Sequence, residues 1–214
     1  MTFQLRYLAM FVVLLSLACQ SKGPQAVNSC GEGKKLVFDT DYAEAYGLPD
    51  IEFELEYPSS MIVEWPSDGK RNLNYAAFYT NDEAGNRKEM VSIGYYTLEG
   101  DLVNTIDALN ESLISQIRSL YVNNYDLSYE FSGKKEFDGK EYHMFQAIGS
   151  IDRPEAHFAG NYHVQAMLIK PLPNSKNGVI IIFQSNENSA ILSLDDIGSK
   201  GCSAIIWNSL KFKE

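Results

Sequence analysis

Histidines and carboxylates are the residues of this 214-residue chain most able to do chemistry, so their spacing comes first. His157 and His163, with Asp152 and Glu155 nearby, are candidates for a metal site of imidazole and carboxylate ligands. His143 joins that set only if its strand lies beside the strand of His163. The spacing of five residues between His157 and His163 matches no helical or zinc-finger pair, so no metal is expected. A second acidic group, Asp39, Asp41 and Glu44 in DTDYAE, begins like a calcium loop. It lacks the glycine and distal glutamate that close one, and reads as a solvated loop. A third, IEFELEYP, carries Glu52, Glu54 and Glu56 at every second position. Alternation with Ile51, Phe53, Leu55 and Tyr57 makes a strand with one buried face, and Pro58 ends it. Its glutamates are then about 6.5–7 Å apart on the wet side, too far for neighbours to share one ion. The chain contains no Gly-x-Ser-x-Gly and no phosphate-cradling loop. No catalytic residue and no cofactor is therefore expected, and the chain reads as not an enzyme.

The cysteines speak of location. Arg6 precedes an unbroken apolar run over residues 8–17, LAMFVVLLSL, which ends at Ala18-Cys19. Ten residues suit a secretory signal and are too few to span a bilayer as a helix. A small residue before a cysteine at the end of such a run resembles the lipobox of bacterial lipoproteins. The resemblance implies cleavage after residue 18 and lipid attachment at Cys19. Several acyl chains, at about 0.8 kcal/mol per buried CH₂, hold a protein on a membrane stably. Export also places Cys30 and Cys202 where disulfides persist. Two readings stay open: a bond tying the start of the body to its last helix, or a buried thiol at Cys202.

The boundaries are a signal peptide at 1–18, a lipidated cysteine and flexible tether at 19–34, and a single globular domain at 35–214. The formal net charge is −10, and loss of the signal removes Arg6 and no acid. No basic stripe is present to neutralise phosphates, so nucleic acid is not an expected partner.

Within the body, residues 73–80 and 90–97 read as strands joined by the turn cluster NDEAGNRK. Ile106, Leu109, Leu113, Ile117 and Leu120 recur at helical spacing within 104–123, with Asn104 as N-cap. Asp138-Gly139 suits a two-residue hairpin turn that pairs Phe137 with Lys140. That register puts Leu127, Tyr129, Phe131, Phe137, Tyr142, Met144 and Ile148 on an apolar face. The other face carries Glu130, Ser132, Lys134, Glu136, Glu141 and His143, with Phe145 as the exception. Residues 162–169 and 178–184 give two more strands, and Val179-Ile180-Ile181-Ile182-Phe183, apolar on both sides, reads as the central one. A last helix runs from Asp195-Asp196 to about Asn208, with Gly198 and Gly201 inside it for close approach to the sheet. A short edge strand over 210–212 follows. Tyr75, Tyr79, Tyr95, Tyr96, Tyr121, Tyr125 and Tyr129 read mainly as sheet packing, with the exposed ones as a partner patch.

This order of elements, with Tyr57-Pro58-Ser59-Ser60 after a strand and Ser209-Leu210-Lys211-Phe212 at the end, resembles the PsbP-like family over about residues 48–213. That fold is shared by an extrinsic photosystem subunit, a Ran-binding import factor and many bacterial lipoproteins. The resemblance implies an α+β fold, an antiparallel β-sheet sandwiched by helices in an α/β/α sandwich, and a binding or assembly role. It carries no site residue across. The expected function is a membrane-anchored envelope lipoprotein that binds another envelope protein. Its expected place is the outer membrane facing the periplasm of a Gram-negative bacterium, with surface exposure as the variant. The alternatives are a carrier of a small ligand or metal ion in a sheet–helix cavity, and a hydrolase with a non-sequential site.

Overall fold

The computed structural model describes residues 30–66, 74–98, 108, 111, 112, 115, 125–137, 140–170 and 175–213. Seven strands form one antiparallel sheet: β3 (Ile62–Glu64), β4 (Asn74–Asn81), β5 (Arg87–Thr97), β6 (Tyr125–Phe137), β7 (Lys140–Arg153), β8 (Phe158–Ile169) and β9 (Asn177–Asn186). Their spatial order is β3-β4-β5-β9-β8-β7-β6. The doubly apolar run of β9 takes the central place, as its composition requires. A second sheet, in the order β1-β2-β10, joins β1 (Gly33–Phe38), β2 (Phe53–Pro58) and β10 (Lys211–Phe212).

The small sheet lies on one face of the large one, and the main core forms between them. Phe38, Phe53 and Leu55 from below meet Phe78, Val91, Ile93, Met144, Met167, Ile181 and Phe183 from above. Phe38 stacks on Phe53 at 4.3 Å, and Tyr57 meets Phe78 at 5.2 Å. Tyr75, wholly buried here, satisfies its hydroxyl by donating to the Pro49 carbonyl at 2.6 Å. We call this covered side the inner face. The opposite, outer face buries Phe145, Ala147, Val164 and Ala166 in one cluster and Tyr96, Leu98 and Leu168 in another.

Among the described residues, helices contribute less than a sandwich of helices requires. The inner face is covered by a three-stranded sheet and one short helix, α2 (Ser203–Ser209), rather than by a helical layer. The other helix with described bounds, α1 (Thr40–Tyr46), comes from the DTDYAE segment. There Asp39 is an N-cap: its side chain accepts from the Tyr42 N–H at 3.0 Å, and Gly47 closes the helix with φ 65°. Of the helix expected over 104–123, Ala108, Glu111, Ser112 and Ser115 are described and helical; the rest lies outside the described residues.

The last helix is shorter than expected. Gly198 and Gly201 sit at φ 85° and 73°, so both belong to turns and not to a helix. Close approach still explains Gly201, since a Cβ there would lie 2.6 Å from the Glu89 carboxylate. The helix starts only at Ser203 and receives its cap from the sheet. Glu89, 3 % exposed on β5, accepts from the Cys202 N–H at 2.7 Å and the Ser203 N–H at 3.0 Å. Cys202 is bonded to Cys30, across 172 residues of sequence. Cys30 and β1 therefore belong to the ordered body, inside the segment expected to be a tether up to residue 34.

Candidate functional site

The hairpin of β6 and β7 has the register expected of it: Phe137 pairs with Lys140, Lys135 with Tyr142 and Tyr129 with Ile148. The turn itself, 138–139, lies outside the described residues. A bulge between Leu127 and Tyr129 shifts the pairing, so 127 no longer shares parity with 129. The expected faces are correct in parity and wrong in burial. On β7, His143, Phe145 and Ala147 are buried, although their face reads as the polar one. On β6, Tyr129 and Phe131 are 44 % and 36 % exposed, although theirs reads as the apolar one. The cause is reach. Three small-sheet strands and α2 cover the inner face from β4 to the near ends of β7 and β8, and β6 lies beyond them.

What remains open is a shallow concavity of about 220 Å³ lined by Tyr129, Gln146, Ile148, Leu194 and Asp195. Phe131 extends it along β6, and Leu192, 69 % exposed, stands on the chain leading into Leu194. Gln146 donates to Gln165 at 2.7 Å across the β7–β8 pair, which ties the two amides together. His163 lies beside Ile148 in the next strand. Burial holds its imidazole below the ordinary pKa, and Asp196 pulls the other way. Its Nδ1 atom is buried without a hydrogen-bond partner, in a part-apolar floor whose burial disfavours the charged imidazole.

The candidate ligands do not come together. His143 and His163 are on adjacent strands, as a shared site requires, but on opposite faces: His143 pairs with Leu168, and His163 with Ile148. His157 is exposed in a left-handed turn with φ 63°, and its carbonyl accepts from Arg87. Glu155 is engaged by Arg153 at 3.3 Å, and Asp152 is exposed. Among the described residues, no group of three histidine, cysteine or acidic side chains is arranged to hold a metal. The glutamates of IEFELEYP are the wet side of β2: Glu54 meets Lys35 at 2.9 Å, and Glu52 meets Lys213 at 3.0 Å. Of the tyrosines, Tyr75 and Tyr96 are buried and Tyr129 is exposed. Tyr121 and the side chain of Tyr125 lie outside the described residues. Cys19 and the signal segment do so as well.

This chain, an antiparallel sheet with a terminal helix folded onto it, has a PsbP-like fold by its likeness to solved structures. The solution structure of cyanobacterial PsbP (CyanoP) from Synechocystis sp. PCC 6803 matches it with a TM-score of 0.50 and 14 % identity, over 89 % of this chain and 100 % of that one. LpqN of Mycobacterium tuberculosis, described as involved in cell envelope biogenesis, matches with a TM-score of 0.51 and 8 % identity, over 86 % and 93 %. The Ran-binding protein Mog1p of Saccharomyces cerevisiae aligns at a TM-score of 0.40 and 12 % identity, over 85 % and 95 %. No protein-family model matches the sequence, and no curated protein does.

Proposed function

We propose that this chain is a membrane-anchored, non-enzymatic envelope lipoprotein that binds or assembles another envelope protein. The observation that carries the reading is the uncovered inner face at β6 and β7, where Tyr129, Phe131, Ile148 and Leu194 meet water beside a neutral floor of glutamines. Exposed aromatic residues around a shallow, mostly uncharged centre are the composition of a protein-binding patch. Lipid attachment at Cys19 supplies the anchor. The envelope setting draws on that attachment and on the fold shared with LpqN. The outer membrane facing the periplasm of a Gram-negative bacterium is the location this reading adopts. Two open concavities among the described residues hold about 220 and 240 Å³, below the roughly 300–1,000 Å³ of ligand pockets.

The test uses the intact protein in its own membranes. A photo-crosslinking amino acid at position 148 is expected to capture one discrete protein, and the pair Tyr129→Ser and Leu194→Ser to abolish that capture. Unchanged capture by the double variant, with normal circular dichroism, would remove this face from consideration. Cys19→Ser is expected to move the protein from the membrane to the soluble fraction; retention in the membrane would refute the anchor.

A further inference from the structure

We infer that the inner face binds ordered internal water over Ser185, bridging the Glu89 carboxylate, the Ser203 hydroxyl and the His163 imidazole. The register of three adjacent strands brings these groups together. Ser185 on β9 pairs with Glu89 of β5 on one side and with His163 of β8 on the other. All three share the inward parity of Val91, Ile93, Phe183 and Met167, so they form one row beneath the covering layer. Residues directly opposite one another have Cβ atoms about 4.5–5.5 Å apart. Ser203 comes down on the row from α2, since its N–H is bonded to Glu89 at 3.0 Å.

The row is buried and only partly satisfied. Glu89, Ser185 and Ser203 are 3 %, 1 % and 1 % exposed. One carboxylate oxygen, Oε2 of Glu89, accepts from both the Cys202 and the Ser203 N–H. Ser185 Oγ, Ser203 Oγ and His163 Nδ1 are buried with no hydrogen-bond partner among the described residues. Asp196, the acid that acts on His163, is engaged by Lys200 at 2.8 Å and by the Leu192 N–H at 3.0 Å. Three unmet polar atoms on adjoining residues are costly, and native interiors satisfy such groups with protein or with water.

Shape and chemistry select water. Serine is the shortest side chain of the row, so the row dips between the carboxylate and the ring. Buried waters need two to four polar partners, and the site supplies both kinds. Water there donates to the carboxylate and to Nδ1, and accepts from the two hydroxyls. A metal cation would occupy the oxygen lone pairs and leave both hydroxyl protons without an acceptor. Two N–H groups already point at Glu89 and would oppose it. A direct bond from Ser185 to His163 would satisfy two of the three atoms and leave Ser203 unmet. The bridge ties α2, which follows the disulfide at Cys202, to His163, the neighbour of Ile148 in the concavity. This inference does not depend on which protein the concavity binds.

The sign of one stability change tests it. In the full chain, Ser185→Ala is expected to lower the folding equilibrium constant about tenfold in urea unfolding, because the water loses a partner. Ser203→Ala is expected to act in the same direction. A dry, unmet hydroxyl predicts the reverse, since its removal relieves a cost, so a raised urea midpoint for Ser185→Ala would overturn the inference. A crystal structure of the detergent-solubilised full chain, at a resolution that shows water, decides the matter even where a variant fails to fold. Ordered water within hydrogen-bond distance of Ser185 and Ser203 is expected. Ser185 bonded directly to His163 or Glu89 with no water between them would refute the bridge, as would a cation at metal–ligand distances. Neither experiment bears on capture from position 148.

Discussion

Two regions of the large sheet's inner face, one at β5 and one at the β6 end, are built from opposite materials. At β5, a buried carboxylate, a disulfide and a glycine turn are packed under α2. At the β6 end, aromatic and aliphatic side chains stand in water around paired amides. Polar groups inside and apolar groups outside both run against ordinary burial. The first arrangement is repaid locally, because the buried carboxylate and the N–H groups it faces meet each other. The second is not repaid among the described residues, and that difference separates the region that holds the fold from the region where we propose that another protein binds.

The sharpest way to break the contrast is at the held end. Removing the disulfide with Cys30→Ser and Cys202→Ser is expected to lower stability by about 4 kcal/mol, given the length of the closed loop; urea unfolding of the double variant checks it. Glu89→Ala leaves two buried N–H groups at the start of α2 without an acceptor and is expected to cost about 3 kcal/mol. Gly201→Ala should approach that cost, since the added methyl meets Glu89 and the residue needs φ 73°. If Glu89→Ala unfolds at the same urea concentration as the parent, the cap is not holding α2.

At the open end the effect on stability is small. Tyr129→Ser and Phe131→Ser are each expected to change it by less than about 0.5 kcal/mol, because the rings are already partly in water. Both should reduce partner capture.

Smallest is a pH effect at His163. Its pKa in the folded chain is below the ordinary 6.5, so the unfolded chain takes up the proton first as pH falls. Stability is therefore expected to decline as pH drops through 6.5 and below. His163→Gln should flatten that decline between pH values of about 7.5 and 5.5, read from the urea midpoint at each pH. An unchanged slope would mean that the imidazole is solvated in both states.

The same contrast marks what the residues alone could reveal. Local rules sufficed for β2, for the pairing of Phe137 with Lys140 and for the central place of β9, because alternation, turn chemistry and double-sided apolarity each act within one segment. The inward parity of Tyr129 and Phe131 was equally legible. Their exposure was not, because it depends on how far a sheet made from residues 33–58 and 211–212 extends over them. Asp39 looked like a loop carboxylate, but Tyr42 three residues on and Gly47 beyond it make it a helix cap. Glu89 gave no signal at all: its partners are 113 and 114 residues away in sequence. The breaks at Gly198 and Gly201 could have been suspected from two glycines so close together, had helix period weighed less than turn propensity.

The bond between Cys30 and Cys202 also decides how the domain responds to being pulled. Tension arriving through the chain before residue 30 does not reach β1 first, where paired strands could separate rung by rung. It passes through sulfur to the first turn of α2, and from there through Glu89 into the middle of the large sheet. An anchored molecule loaded this way resists as a block, with the strain spread over many contacts at once, and its outermost strand is spared from unzipping.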